Sequence, residues 1–117
     1  MKVYEIQYQN AILASQVCLA DSFGTRLKGL MFRKSLEPGE GLLLKDCSDI
    51  HCCFMRFPID AVYLDTQMTV VGKQTLPPWR LGKHFPGAKH VLELNAGCAA
   101  ELPLGACLTV KEMEYHE

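Results

Sequence analysis

The chain has 117 residues, with 12 basic and 13 acidic side chains giving a formal charge of −1, and is 49% hydrophobic and 21% charged. That balance excludes an intrinsically disordered chain, and it excludes the broad positive potential used in general nucleic-acid or anionic-membrane binding. Length and composition predict one domain over residues 1–117. The opening Met1-Lys2-Val3-Tyr4-Glu5-Ile6 is read as neither signal peptide nor anchor, and no run approaches the ~18 apolar residues of a membrane span, so a cytoplasmic monomer without membrane contact is expected.

In chain order, Val3 to Tyr8 alternates and Ala11 to Leu19 continues as a second strand after Gln9-Asn10, which predicts an opening hairpin. Asp21-Ser22 is a capping pair, and Phe23, Leu27, Leu30 and Met31 form an apolar stripe at helical spacing, so a short amphipathic helix is predicted near residues 22–32. The cluster Glu37 to Gly41 reads as a turn before a central strand at Leu42-Leu43-Leu44. A strand is predicted over Ile50 to Met55, with a corner at Phe57-Pro58 because proline donates no ladder hydrogen bond.

Ile59 to Leu64 and Met68 to Val71, divided by Asp65-Thr66-Gln67, predict a second hairpin. Leu76 to Gly87 is broken by three prolines and two glycines and reads as a long ordered loop carrying Trp79, Arg80 and His84. A strand from His90 to Leu94, one helical turn over Ala96 to Leu102, a last strand from Cys107 to Val110, and a fraying polar tail over 111–117 complete the reading. The predicted fold class is α+β, mainly β: a small compact barrel-like or mixed sheet with one short helix.

The six cysteines are irregularly spaced and contain no C-x-x-C pair, so a disulfide framework is not expected, and Cys18, Cys98 and Cys107 are read as buried apolar residues. The densest reactive cluster is Asp49-Ile50-His51-Cys52-Cys53, followed by Arg56 and Asp60. His51 with Cys53, or with Asp60, could serve a small hydrolase, although no oxyanion hole or orienting third residue is identifiable. Cys47, His51, Cys53 and Cys98 could hold structural zinc, at a spacing that matches no common zinc module. Asp49, Asp65 and Glu93 are further carboxylates near strand ends, and no motif pairs them. Asp60 caps a turn, pairs with Arg56 or holds a ligand. Neither a phosphate-binding loop nor a dinucleotide fingerprint occurs, and no cofactor is expected.

The words Arg26-x-x-Gly29-Leu30-Met31-Phe32-Arg33, Gly41-Leu42-Leu43-Leu44 and Phe54-Met55-Arg56-Phe57-Pro58-Ile59-Asp60, with Pro78-Trp79-Arg80 and Leu92-Glu93-Leu94, resemble the domain-of-unknown-function family DUF192 over about residues 21–110. The resemblance implies a small β-rich α+β domain and no particular activity. It also implies that Cys52 and Cys53, which stand where the family commonly has threonine or an aromatic, are not its shared functional element. From all of this, a non-catalytic binding or accessory domain for a small molecule or protein is expected. Its candidate pocket comprises Arg33, His51, Met55, Arg56, Asp60, Trp79 and Arg80, with no metal. Asp60→Asn and Arg80→Ala are expected to weaken binding and leave the fold intact.

Overall fold

A computed structural model describes residues 3–20, 35–48, 57–78, 80 and 82–113. It contains the strands β1 (Val3–Tyr8), β2 (Ala11–Ala20), β3 (Glu40–Leu44), β4 (Ile59–Leu64), β5 (Val70–Leu76), β6 (His90–Asn95) and β7 (Thr109–Met113). They form one sheet in the order β5-β4-β6-β3-β2-β1-β7. The β2–β3 pair is parallel and the other pairs are antiparallel, so the sheet is mixed.

The α+β expectation is corrected: no helix occurs among the described residues, and the architecture is a seven-stranded mixed sheet. The predicted helix near 22–32 and the predicted strand over Ile50 to Met55 lie outside the described residues. Residues 96–102 do not make a helical turn either. They run through separate turns closed by Cys98 N–H to Asn95 O, Ala100 N–H to Gly97 O and Leu102 N–H to Ala99 O. Gly97 at φ 94° ends any helical course immediately.

Local chemistry accounts for the hairpins. Gln9 and Asn10 both take positive φ, 50° and 67°, as a two-residue turn between antiparallel strands requires. At the β4–β5 turn, Asp65 Oδ1 accepts from Gln67 N–H (2.8 Å) and Thr69 N–H (2.9 Å). β5 starts two residues later than expected and continues through Gly72-Lys73-Gln74-Thr75 to Leu76. The last strand is likewise displaced. Cys107 makes an isolated bridge to Thr69, while Lys111, Glu112 and Met113, expected in the tail, pair with Glu5, Tyr4 and Val3.

The sheet curls until its two edges meet. Val70 N–H donates to Ala106 O (2.8 Å), Gly105 N–H to Val70 O (2.8 Å) and Leu108 N–H to Met68 O (2.9 Å), tying the start of β5 to the segment entering β7. Inside the curl, Ile6, Val17, Leu43, Val62, Leu92 and Leu94 pack with Leu102 and Leu108 from the turns. On the outer face, Ile59, Ala61, Tyr63, Leu44 and Val91 are covered by Leu36, Phe57 and Ala88, with Phe85 against them. Every residue of β4 is buried, which explains why its sequence is almost continuously apolar rather than alternating.

The outer layer depends on a missing side chain. Phe85 stacks on Tyr63 with ring centroids 4.4 Å apart, and a Cβ added at Gly72 would lie 2.1 Å from the Phe85 ring. Gly72→Ala is therefore expected to destabilise the protein by about 1–3 kcal/mol through overpacking. Urea unfolding checks this, and an unchanged midpoint would show that the ring moves aside freely.

Candidate functional site

Of the predicted pocket residues, Arg33, His51, Met55, Arg56 and Trp79 lie outside the described residues, as do Cys52 and Cys53. Asp60 and Arg80 are described, and their surroundings differ. Arg80 is exposed in the loop after β5. Asp60 is only 4% exposed. It pairs with Thr75 of β5 and projects to the side of β4 opposite Ile59, into the curl.

Its carboxylate is committed to a neighbouring turn. Oδ1 accepts from Thr75 Oγ1 (2.7 Å), and Oδ2 accepts from the backbone N–H of Gly97 (3.0 Å) and of Ala99 (2.9 Å). Lys73, on the same face of β5, donates from Nζ to Ala99 O (2.9 Å) and Ala100 O (3.0 Å). One turn is thus held by an anion at its amide groups and by a cation at its carbonyls, each matching the polarity it meets. A hollow of about 190 Å³ lies beside this clamp, lined by Asp60, Lys73, Gln74, Thr75, Gly97, Ala99 and Ala100. Both carboxylate oxygens of Asp60 are thus already occupied by donors from Thr75, Gly97 and Ala99.

Glu93 is the other buried carboxyl, 3% exposed. In register with Leu42 and Ala61, it projects from the face of β6 opposite Leu92 and Leu94, among the outer apolar layer. Among the described residues no side chain donates to it. Burial pushes its pKa from 4.5 up to about 8, so it is mainly the neutral acid at pH 7. Its sequence neighbours show a strand but do not show that the strand is covered on both faces.

His90, at the first position of β6, belongs to no motif in the sequence. Its ring is buried and its Nδ1 accepts from the Asp46 N–H. The cysteine expectations are also revised. Cys98, on a turn, and Cys107, in the isolated bridge to Thr69, are exposed, and Cys18 is partly buried. Cys47 packs against the outer layer, whereas Cys98 borders a groove with Tyr8, Ile12 and Leu102 on the interior side, so these two proposed zinc ligands do not converge.

A mixed sheet curled on an apolar interior, whose buried carboxylate clamps a turn, defines a small β-domain. The chain belongs to the DUF192 family: residues 5–110 match that family, described as an uncharacterized ACR, from well before the first recognisable word. It is 37% identical over 88 residues to a UPF0127 protein of Pyrococcus abyssi, covering 70% of this chain and 73% of the relative. It is 34% identical over 88 residues to a UPF0127 protein of Pyrococcus horikoshii, covering 73% and 76%.

Two solved structures share the fold. A protein of unknown function from Novosphingobium aromaticivorans superposes with a TM-score of 0.76 at 21% identity, over 93% of this chain and 83% of that one. A Sinorhizobium meliloti protein described as a "putative transcription regulator" gives 0.75 at 21% identity, over 93% and 92%. At that identity the likeness speaks for the fold alone.

Proposed function

We propose that this DUF192 protein is a single-domain, non-catalytic binding or accessory protein, acting as a cytoplasmic monomer, whose site lies at one end of the sheet. The observation that carries this reading is the strand register. Ile59 is opposite both Leu76 and Asn95, and Asn95 Nδ2 donates to Leu36 O (2.9 Å). Four chain segments therefore meet at one sheet end: residues 35–36, which follow Arg33; Phe57 to Ile59, which follow Arg56; Leu76 to Pro78, which lead to Trp79 and Arg80; and Asn95 with its clamped turn. A rigid frame that gathers sequence-distant segments is how small binding sites are usually built.

Arginine suits the planar, bidentate recognition of carboxylate or phosphate, so a small anionic molecule is the ligand class to screen. Two features support the remaining terms of the proposal. Lys111 and Glu112 are exposed on β7 at the sheet edge, a charge placement that discourages pairing with other chains. Cys98 and Cys107 are exposed free thiols, which suit a reducing compartment.

The test is a thermal-shift screen of carboxylate- and phosphate-bearing metabolites, with hits measured by calorimetry against wild type and Arg80→Ala. Arg80 is exposed, so its loss is expected to leave the melting temperature of free protein unchanged and to weaken binding about tenfold or more. Equal binding by the variant, or conversion of a hit to product, would overturn the proposal.

A further inference from the structure

His90 is 7% exposed and pairs in register with Leu64, at the other end of β6 from Asn95 and the proposed binding site. Its Nδ1 accepts a hydrogen bond from Asp46 N–H at 3.0 Å, and the preceding Lys45 N–H donates to Ala20 O at 3.0 Å. These two bonds pin the chain where it leaves β3. A ring nitrogen that accepts carries no proton, so the contact requires His90 to be neutral at Nδ1. Asp46 is held at φ 57°, in the left-handed region that costs a non-glycine residue conformational energy. Beside the turn lies a polar hollow of about 280 Å³ lined by Asp46, Ser48, Ala88 and Lys89, large enough to admit water.

We propose that the Asp46–His90 contact is an acid-released latch, in which a proton taken up at Nδ1 turns the acceptor into a donor, expels the Asp46 N–H and frees the turn of residues 45–48. The charged groups around the ring define the working range. Burial, the largest influence, disfavours the imidazolium, and Lys45 acts in the same direction; Asp46 and Asp65 favour it. The net result lies below the ordinary imidazole value of 6.5, so the latch is closed at neutral pH and opens only as pH falls below that value. Lys89, next to His90 in the chain, is exposed beside the same hollow.

The experiment is an NMR titration of the full chain from about pH 7.5 downward until the His90 ring has titrated, following that ring and hydrogen exchange at the Asp46 amide, corrected for its intrinsic rate. Protection at Asp46 is expected to fall about tenfold or more, with the same midpoint as the His90 ring. In His90→Gln, which offers an uncharged acceptor, protection should stay flat over the same range. Constant Asp46 protection while the ring titrates would overturn the latch, and so would an equal fall in His90→Gln. If that variant does not fold, the coincidence or divergence of the two wild-type midpoints decides the question.

Discussion

Replacing Asp60 with alanine is expected to lower the free energy of unfolding by about 3–5 kcal/mol. The side chain accepts from Thr75 Oγ1 and from two backbone amides, Gly97 and Ala99. Hydrogen bonds to an ionised acceptor are worth about 1.5–3 kcal/mol each, and the deletion strands the Ala99 N–H in a buried setting. Asp60→Asn can keep its oxygen on the Gly97 and Ala99 amides and turn its NH2 to the Thr75 hydroxyl, which can accept, so it loses mainly the charge and should cost about 1–2 kcal/mol. Because Asp60 already serves the fold, both of its variants are poorer probes of binding than Arg80→Ala. Urea denaturation at neutral pH measures both variants. A loss below about 1 kcal/mol for Asp60→Ala would mean that the turn holds itself without the carboxylate.

Glu93→Gln is expected to reshape the pH dependence of stability. The folded protein keeps a proton on Glu93 up to about pH 8, whereas the unfolded chain releases it near 4.5. Because the folded-state value is raised, this contribution is fully present below pH 4.5 and is lost as pH rises through about 8. A shift of that size corresponds to roughly 3–5 kcal/mol between the two extremes. Glutamine has the same shape and no proton to lose, so the stability of the variant relative to wild type should rise by several kcal/mol between about pH 5 and about pH 9. Parallel unfolding curves across that range would show that Glu93 does not carry the proton assigned to it.

Much of the sheet is visible in the sequence because half-buried strands advertise themselves. The alternation of Val3 to Tyr8 and the turn at Gln9-Asn10 specify the first hairpin, and the apolar run Leu42 to Leu44 belongs to β3, between β2 and β6. Polar strands are hidden for the same reason. Lys73, Gln74 and Thr75 fall outside the predicted strand, which ends at Val71, yet all three lie in β5, where Lys73 and Thr75 hold or complete the turn clamp. Lys111 and Glu112 read as tail because edge strands are selected to be charged.

The candidate site was legible only as a set of words. Asp60 was recognised as a residue with a role, but its partners at Gly97 and Ala99 are 37 and 39 residues away, and no local pattern reveals such a contact. The meaning of Glu93 was hidden for a related reason. Its neighbours Leu92 and Leu94 mark one buried strand face, and the opposite face, which carries Glu93, lies on the side of the apolar layer that includes Leu36 and Phe57.

The joining of the two sheet edges has a kinetic consequence. β1 is synthesised well before its outer partner β7, and the seam between residues 68–70 and 105–108 also waits for the segment that enters β7. The segments between β1 and β7 must all emerge before the interior is sealed against water. Such non-local pairing slows folding, and it leaves the apolar faces of the earlier strands in need of shielding until β7 arrives.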